Sequence, residues 1–196
     1  MTKVLLNFST KVAVDIISRG LVLITLPIIA RTLSLEKFGI YNYIAVVLSY
    51  YGFFIEFGYS LFGVTEIIKY NNKNVVNQII SLQLITAIFS YSVLLCSAHF
   101  FFNNDTFILL LILAISFFFQ PFLITYYYTA INKIYFISLV QLISQIVFIV
   151  LIISLFAPTG SLLILIIITT ITQIIIPILL FIPYIWKNHL PLSAHR

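Results

Sequence analysis

Residues 12–33 read VAVDIISRGLVLITLPIIARTL, an apolar run that carries the charged side chains Asp15 and Arg19. A helix needs about 20 apolar residues to cross the hydrocarbon core of a bilayer, so this run is long enough to span one. A charged side chain at the centre of such a helix costs about 2.5–3.5 kcal/mol on insertion scales, and it usually faces a packed interior or a water-filled path. The two charges therefore mark this helix as the first place to look for function.

The whole chain has the composition of an integral membrane protein. It has 196 residues, of which 62% are hydrophobic and only 8% are charged, and its mean hydropathy is +1.18. Soluble domains carry about 25% charged residues. The formal net charge of +5 would point to nucleic acid in a soluble protein. In a membrane protein it is explained by Lys and Arg in cytoplasmic loops, so we expect no nucleic-acid partner.

Few residues of the chain are suited to bond-making chemistry. Cys96 is the single cysteine, which excludes an intrachain disulfide, and His99, His189 and His195 are too scattered for a metal site. The sequence also contains no nucleophile–base set and no glycine-rich phosphate loop. We therefore expect no metal, no cofactor and no enzymatic activity.

Apolar segments long enough to cross a bilayer follow one another along the chain. The six segments are residues 12–33, 39–64, 79–102, 107–130, 134–156 and 162–186. The breaks expected between them are 34–38, 65–78, 103–105, 132–133 and 157–160. The sequence therefore predicts an all-α integral membrane fold, a six-transmembrane-helix bundle that forms a single lobe over residues 1–196.

The distribution of Lys and Arg predicts how the bundle is oriented. With the N-terminus in the cytoplasm, seven basic residues lie inside, namely Lys3, Lys11, Lys69, Lys73, Lys133, Lys187 and Arg196. Only Arg31 and Lys37 then lie outside. Cytoplasmic loops of membrane proteins carry the excess of positive charge. We therefore expect both termini to be cytoplasmic.

Polar residues within the spans share faces, because helix periodicity aligns positions three, four and seven apart. Small and polar residues commonly join membrane helices, and this accounts for most of the Ser, Thr and Gly. Five glutamines and three charges within the spans are better explained by a solvated cavity, which is typical of a transporter. We predict that the cavity residues are Arg19, Asp15, Glu56, Gln83, Gln120, Gln141 and Gln145.

Arg19 has two candidate partners of opposite charge. At 1.5 Å per residue, Arg19 lies about 10 Å and Glu56 about 12 Å from the inner ends of their predicted spans. The two spans run antiparallel across a short loop, so the two side chains should lie at similar depth. We predict that Arg19 pairs with Glu56, with Asp15 four residues earlier, or with each in turn. The pair is either a static neutralisation of buried charge or a switch that releases Arg19 to hold an anion.

Three motifs resemble a known transporter family. Residues 27–41, PIIARTLSLEKFGIY, resemble the first loop of Wzx-type O-antigen flippases of the multidrug/oligosaccharidyl-lipid/polysaccharide exporter superfamily, with Arg31, Phe38 and Gly39 at the motif positions. Residues 55–69, IEFGYSLFGVTEIIK, resemble the end of the family's second helix, and residues 120–133 resemble the exit of its fourth. Ser34 replaces the usual Gly, and Thr129-Ala130 stands where Gln-Gly is common.

The resemblance implies that the chain moves a polyprenyl-pyrophosphate-linked O-antigen or polysaccharide repeat unit across the bacterial inner membrane, as lipopolysaccharide biosynthesis requires. The lipid tail would stay among membrane lipids while the sugar crosses in the cavity. In that setting Arg19 contacts the pyrophosphate, because a guanidinium binds phosphate bidentately. Asp15 and Glu56 would compensate charge or couple transport to an ion.

The chain is short for this superfamily, whose members resemble two six-helix halves around a central path. It corresponds to the N-terminal half, which is one lobe of a flippase of twelve or more helices. We expect a fragment of a longer or disrupted gene that lacks its C-terminal half, one half of a homodimer, or a remnant without transport activity. Two other classes are a small membrane subunit of a polysaccharide assembly complex and an O-antigen polymerase or acyltransferase. Those enzymes typically carry large loops with Arg, His or acidic residues.

Overall fold

A computed structural model of the chain describes the backbone of residues 2–70 and 74–189, and the side chains of residues 12, 14, 16–18, 20–70, 74–98 and 102–186. Its α-helices are α1 (Thr2–Thr32), α2 (Leu35–Glu56), α3 (Tyr59–Tyr70), α4 (Asn74–Phe101), α5 (Asn104–Ala114), α6 (Thr125–Ala130), α7 (Ile134–Leu151), α8 (Ala157–Thr159) and α9 (Leu162–His189). Two 3-10 turns, Ile115–Phe118 and Gln120–Phe122, join α5 to α6, and a π-helical stretch, Ile152–Phe156, joins α7 to α8.

The fold is an all-α membrane bundle, as the sequence predicts. Among the described residues, five helical stretches are long and apolar enough to cross a membrane, namely Leu35–Tyr70, Asn74–Ala98, Asn104–Ala130, Ile134–Thr159 and Leu162–Trp186. They correspond to the second to sixth predicted spans. The first predicted span falls within α1, whose side chains are described only in part. A crossing by α1, and with it the count of six and the cytoplasmic termini, stays a prediction.

The second predicted span, residues 39–64, is not one straight helix. Helix α2 ends at Glu56 and α3 begins at Tyr59. The backbone between them has positive φ, 20° at Phe57 and 82° at Gly58. A side chain costs energy in the left-handed region whereas glycine does not, so Gly58 permits the turn. The span therefore contains a joint between two helices directly after its acidic residue.

The fourth predicted span, residues 107–130, is also interrupted. Helix α5 ends at Ala114 and gives way to the two 3-10 turns before α6 begins at Thr125. Pro121 lies in the second turn, where it has no N–H to donate and its ring would clash with the carbonyl of a preceding α-helical turn. Hydrogen bonds between residues three apart replace the α-helical ones. Phe122 N donates to Phe119 O at 3.1 Å, and Leu123 N donates to Gln120 O at 2.9 Å.

Two of the predicted breaks are shorter in the structure than in the sequence prediction. Only Leu33 and Ser34 separate α1 from α2, and the Ser34 side chain accepts a bond from Lys37 N at 3.4 Å at the start of α2. The expected break at 65–78 is partly helical, because α3 continues to Tyr70 and α4 begins at Asn74. The described polar residues of this range occupy terminal helical turns, where water can solvate them.

Most of the helices that pack against each other do not follow one another in the chain. Helix α1 packs chiefly along α7, α7 and α5 pack on α9, α2 packs on α4, and α3 packs on α6. The expectation that α1 and α2 are close antiparallel neighbours is therefore wrong for most of their length. The reason is that the short connection only holds the adjoining ends of α1 and α2 together. The rest of α1 remains able to pack against α7.

Two apolar clusters form the interior. The first cluster contains Ile44, Leu94, Leu165 and other residues toward the α1–α2 connection. The second, which we call the tyrosine cluster, lies toward the α3–α4 connection and contains Ile79, Leu180, Tyr126, Tyr127, Tyr128 and Tyr184. Gly63 allows α3 to approach this cluster, because a Cβ there would lie 2.6 Å from the Tyr126 ring. Large apolar side chains also cover the outside, as expected of a surface that faces lipid.

Candidate functional site

The described chain has an open cavity of about 640 Å³, which we call the main cavity. Its lining comes from α2, from the interrupted stretch 113–125, from α7 and from α9. Polar lining residues are Tyr41, Ser49, Glu56, Ser116, Gln120, Thr125, Gln141, Thr169 and Gln173. Members of the first cluster and residues packed against the tyrosine cluster both contribute, so the main cavity lies between the two clusters.

Both interrupted helices reach the main cavity where they leave α-helical geometry. Glu56 is the last residue of α2, Ser116 and Gln120 belong to the stretch that joins α5 to α6, and Thr125 is the first residue of α6. Irregular backbone at membrane depth is tolerated only where protein buries it or where it lines a hydrated cavity. Interrupted helices that meet at one place are also a common way of building a transporter binding site. The breaks therefore identify this cavity as the candidate site.

The Glu56 carboxylate joins three helices at one edge of the main cavity. Ser60 Oγ on α3 donates a hydrogen bond to Oε1, and Gln83 Nε2 on α4 donates to Oε2 at 3.5 Å. Gln83 is buried with 2% exposure, so Glu56 supplies an acceptor that water cannot easily replace. An ionised carboxylate has about four acceptor positions. Glu56 can therefore hold the joint and still accept bonds from a ligand in the cavity.

Gln120 faces α2 across the same cavity. Its Nε2 lies 3.5 Å from Gly52 O, which is long for a hydrogen bond and therefore weak. A Cβ on Gly52 would lie 3.7 Å from Gln120 Oε1, at ordinary contact distance. The amide thus rests against α2 and can exchange its weak bond for one to a ligand.

Helices α7 and α9 contribute amides to the main cavity that make no hydrogen bond within the described residues. Gln141 on α7 and Gln173 on α9 are exposed, and neither makes a hydrogen bond within the described part of the chain. Gln145, one turn after Gln141, lines a smaller cavity of about 240 Å³. Its Nε2 is buried without a partner among the described residues. Thr169, Gln173 and Ile176 line both cavities, so the two are adjacent along α9.

The structure brings together part of the predicted set of cavity residues. Glu56, Gln120 and Gln141 line the main cavity and Gln145 lines the smaller one, whereas Gln83 lies behind Glu56 and bonds to it. Their roles in binding substrate stay predictions.

The side chains of Asp15 and Arg19 lie outside the described residues. Their pairing with each other or with Glu56, and the contact of Arg19 with a pyrophosphate, therefore stay predictions. The backbone nevertheless places α1 along α7, and the described lining of the two cavities includes no α1 residue.

The first-loop motif residues Arg31, Phe38 and Gly39 are not part of the main cavity's lining. Arg31 is exposed in the last turn of α1, and Gly39 is exposed on α2. Phe38 is half-buried and packs against the first cluster. Their described contacts are those of a helix–helix corner rather than of a ligand site.

Several lining residues were not singled out by the sequence. Tyr41, Phe53 and Phe117 line the main cavity, but an aromatic residue in an apolar run has the same pattern whether it faces lipid, core or cavity. Gln173 belongs to the five glutamines within the spans and could have been chosen on that signal. Within the described residues, no group of three or more His, Cys, Asp or Glu is placed to hold a metal ion.

A comparison with protein-family models matches residues 4–193 to a family described as "Polysaccharide biosynthesis protein". The match covers nearly the whole chain, including both interrupted helices and the main cavity. Comparisons with curated proteins and with solved structures give no match.

Proposed function

This chain belongs to the polysaccharide biosynthesis protein family, and from that premise we propose that it is a flippase for polyprenyl-pyrophosphate-linked O-antigen or polysaccharide repeat units in the bacterial inner membrane. The chain is a multi-pass membrane protein with apolar helices long enough to span a bilayer. The observation that supports the transport role is the main cavity, a space of about 640 Å³ with carboxylate, amide and hydroxyl groups in its wall.

The physical problem of such transport matches the composition of this wall. A sugar loses many hydrogen bonds to water when it enters a bilayer, and each unsatisfied polar group costs free energy there. Glu56, Gln120, Gln141 and Gln173 offer donors and acceptors in place of water. The exposed apolar outer surface leaves the lipid tail of the substrate in the bilayer.

The open side of the main cavity needs a cover. Gln141 and Gln173 are exposed on the described chain although they line the main cavity, and amides exposed to lipid would be unfavourable. We infer that a second six-helix lobe covers this opening, either as a second copy of the chain or as a C-terminal half supplied otherwise. The two lobes would then enclose the substrate path between them, as in transporters built from repeats.

Transport by purified protein in liposomes tests the proposal. The substrate is a fluorescent polyprenyl-pyrophosphate-linked disaccharide, and a membrane-impermeant reagent that destroys the fluorophore reports how much of it has reached the outer leaflet. We expect faster transfer than in protein-free liposomes, with the disaccharide unchanged in mass. Tight binding without transfer would favour a subunit or a remnant, and a lengthened or acylated glycan would favour an enzyme.

Crosslinking of the protein in the same liposomes tests for the second lobe. A cysteine introduced at Gln173 in a Cys96→Ser background should crosslink to a second copy if the chain works as a homodimer. Transfer that requires an added second-half polypeptide, with no crosslink between copies, would identify a separate partner instead.

A further inference from the structure

The charge of the main cavity distinguishes among ligands. Among its described lining residues, Glu56 is the only Asp, Glu, Lys, Arg or His. The remaining polar groups are neutral amides and hydroxyls, and no described Lys or Arg side chain contributes to the wall. The described part of this lining therefore carries one formal negative charge and no formal positive charge.

Three of the five hydroxyl groups in this lining already donate their proton to a backbone carbonyl. Ser49 Oγ donates to Val46 O at 2.7 Å, Ser116 Oγ to Leu113 O at 2.8 Å, and Thr169 Oγ1 to Ile166 O at 2.8 Å. Each of these oxygens can still accept a bond, but its single proton points back into its own helix. Together with the Glu56 carboxylate, these three oxygens offer acceptors to a ligand but no free proton.

The amides complete the pattern. Gln141 and Gln173 make no hydrogen bond within the described chain, and Gln120 makes only the 3.5 Å contact with Gly52 O. A side-chain amide both donates and accepts, as a sugar hydroxyl does. The aromatic residues Phe53 and Phe117 in the same lining provide apolar faces for a pyranose ring.

From this wall we propose that the main cavity binds the carbohydrate part of the substrate and selects sugars without negative charge, with Glu56 as the specificity-determining residue. The inference rests on the proposed function and deepens it. Hydroxyl, acetamido and amino groups can donate to Glu56, whereas a uronic acid or a phosphorylated sugar brings a like charge close to its carboxylate. Repulsion of this kind is a common source of specificity. The pyrophosphate binds outside this wall, because its charge is the same as that of Glu56.

A matched pair of short-chain substrates tests the selection. The probes are farnesyl pyrophosphate carrying N-acetylglucosamine–galactose, and the same lipid carrying N-acetylglucosamine–galacturonic acid, which differ at one carboxylate. The full chain in nanodiscs should bind the galactose compound about tenfold or more tightly than the galacturonate compound, because the acidic sugar meets Glu56. Farnesyl pyrophosphate without a sugar measures the contribution of the lipid and the pyrophosphate.

Two substitutions test whether Glu56 causes the preference for uncharged sugars. Glu56→Gln keeps an acceptor for Ser60 but removes the charge, and it should bring the two affinities within about twofold of each other. Gln173→Glu adds a second carboxylate to the same lining and should widen the difference, which also provides a test if Glu56→Gln does not fold. Glu66→Gln is the control, since Glu66 lies on α3 outside both cavity linings, and it should leave the ratio unchanged.

Different results would contradict the charge selection and the proposed carbohydrate site. Equal affinities for both glycolipids in the unmodified chain, or a ratio that neither Glu56→Gln nor Gln173→Glu changes, would overturn the charge selection while leaving transport intact. Glycolipids that bind no more tightly than farnesyl pyrophosphate alone would overturn the selection and also remove the support for a carbohydrate site.

Discussion

The two walls of the main cavity hold their polar groups in opposite ways. The interrupted wall, made of α2–α3 and residues 113–125, binds its polar groups internally, since Glu56 accepts from Ser60 and Gln83. The continuous wall, made of α7 and α9, presents Gln141 and Gln173 without a partner in the described chain. The hydrogen-bonded groups of the interrupted wall stabilise the fold and orient the Glu56 carboxylate. The unpartnered amides of the continuous wall remain available to a ligand. Substitutions in the two walls should therefore affect different measurements.

The largest effect on stability should come from the packing behind the interrupted wall. Gly63→Ala would place its Cβ 2.6 Å from Tyr126 Cδ2 and 2.8 Å from Ile79 Cδ1, so one of these side chains must move. Both are buried, with 1% and 0% exposure. Overpacking of this kind costs about 1–3 kcal/mol. Thermal unfolding in detergent should show a clear fall in Tm.

Gly39→Ala is the matched control for this substitution. A Cβ on Gly39 would meet nothing within 4 Å, and alanine is a better helix former than glycine. Its Tm should equal or exceed that of the unmodified chain. If both variants unfold at the same temperature, α3 does not depend on the close approach that Gly63 allows.

The next largest effect should come from the Glu56 carboxylate. Glu56→Ala leaves Ser60 and the buried Gln83 without their acceptor, and an unsatisfied buried polar group costs about 1–3 kcal/mol. We expect the lower part of that range because the Gln83 bond is long, at 3.5 Å. Glu56→Gln should recover most of the loss, since the amide oxygen still accepts. Equal destabilisation by Ala and Gln would mean that the charge, not the hydrogen bonds, stabilises the joint.

The smallest effect on stability should come from the continuous wall. Gln141→Ala and Gln173→Ala each remove an exposed amide without a described partner, so the free energy of unfolding should change by less than about 0.5 kcal/mol. Transfer of the lipid-linked disaccharide should nevertheless fall about 2- to 10-fold, because each lost ligand bond is worth about 0.5–1.5 kcal/mol. Gln78→Ala, an exposed glutamine near the start of α4, should change neither. Lower stability with unchanged transfer would reverse the roles that we assign to the two walls.

The sequence predicts much of the bundle because lipid imposes strong rules on it. Apolar runs of sufficient length identify Asn74–Ala98, Ile134–Thr159 and Leu162–Trp186 with nearly correct limits. The two interruptions were not predicted as such. Gly58 and Pro121 occupy them, but Gly and Pro also occur within uninterrupted membrane helices, where neighbours satisfy the freed backbone groups. Only the packing around each residue decides between a kink and a break.

The candidate site was predictable in chemistry but not in arrangement. Glutamines and Glu56 stand out in apolar runs because burying them in lipid is costly, and the structure places Glu56, Gln120 and Gln141 in the lining of one cavity. Gln83 has the same sequence signal but lies behind Glu56, which shows that polarity alone does not separate a lining residue from a supporting one. The packing of α1 along α7 could not be read from the short α1–α2 connection, which permits several neighbours.

The central claim is that water fills the space between the two walls within the membrane, and cysteine labelling tests it directly. Cys96 is the single cysteine, so Cys96→Ser provides a clean background. Gln173→Cys and Ile171→Cys place a thiol on the same helix, inside the main cavity and on an exposed position outside both cavity linings, respectively. A thiol reacts as the thiolate, which forms in water rather than in lipid. With a hydrophilic maleimide in liposomes, we predict labelling at position 173 at least about tenfold faster than at position 171, and equal rates at the two positions would contradict a hydrated cavity.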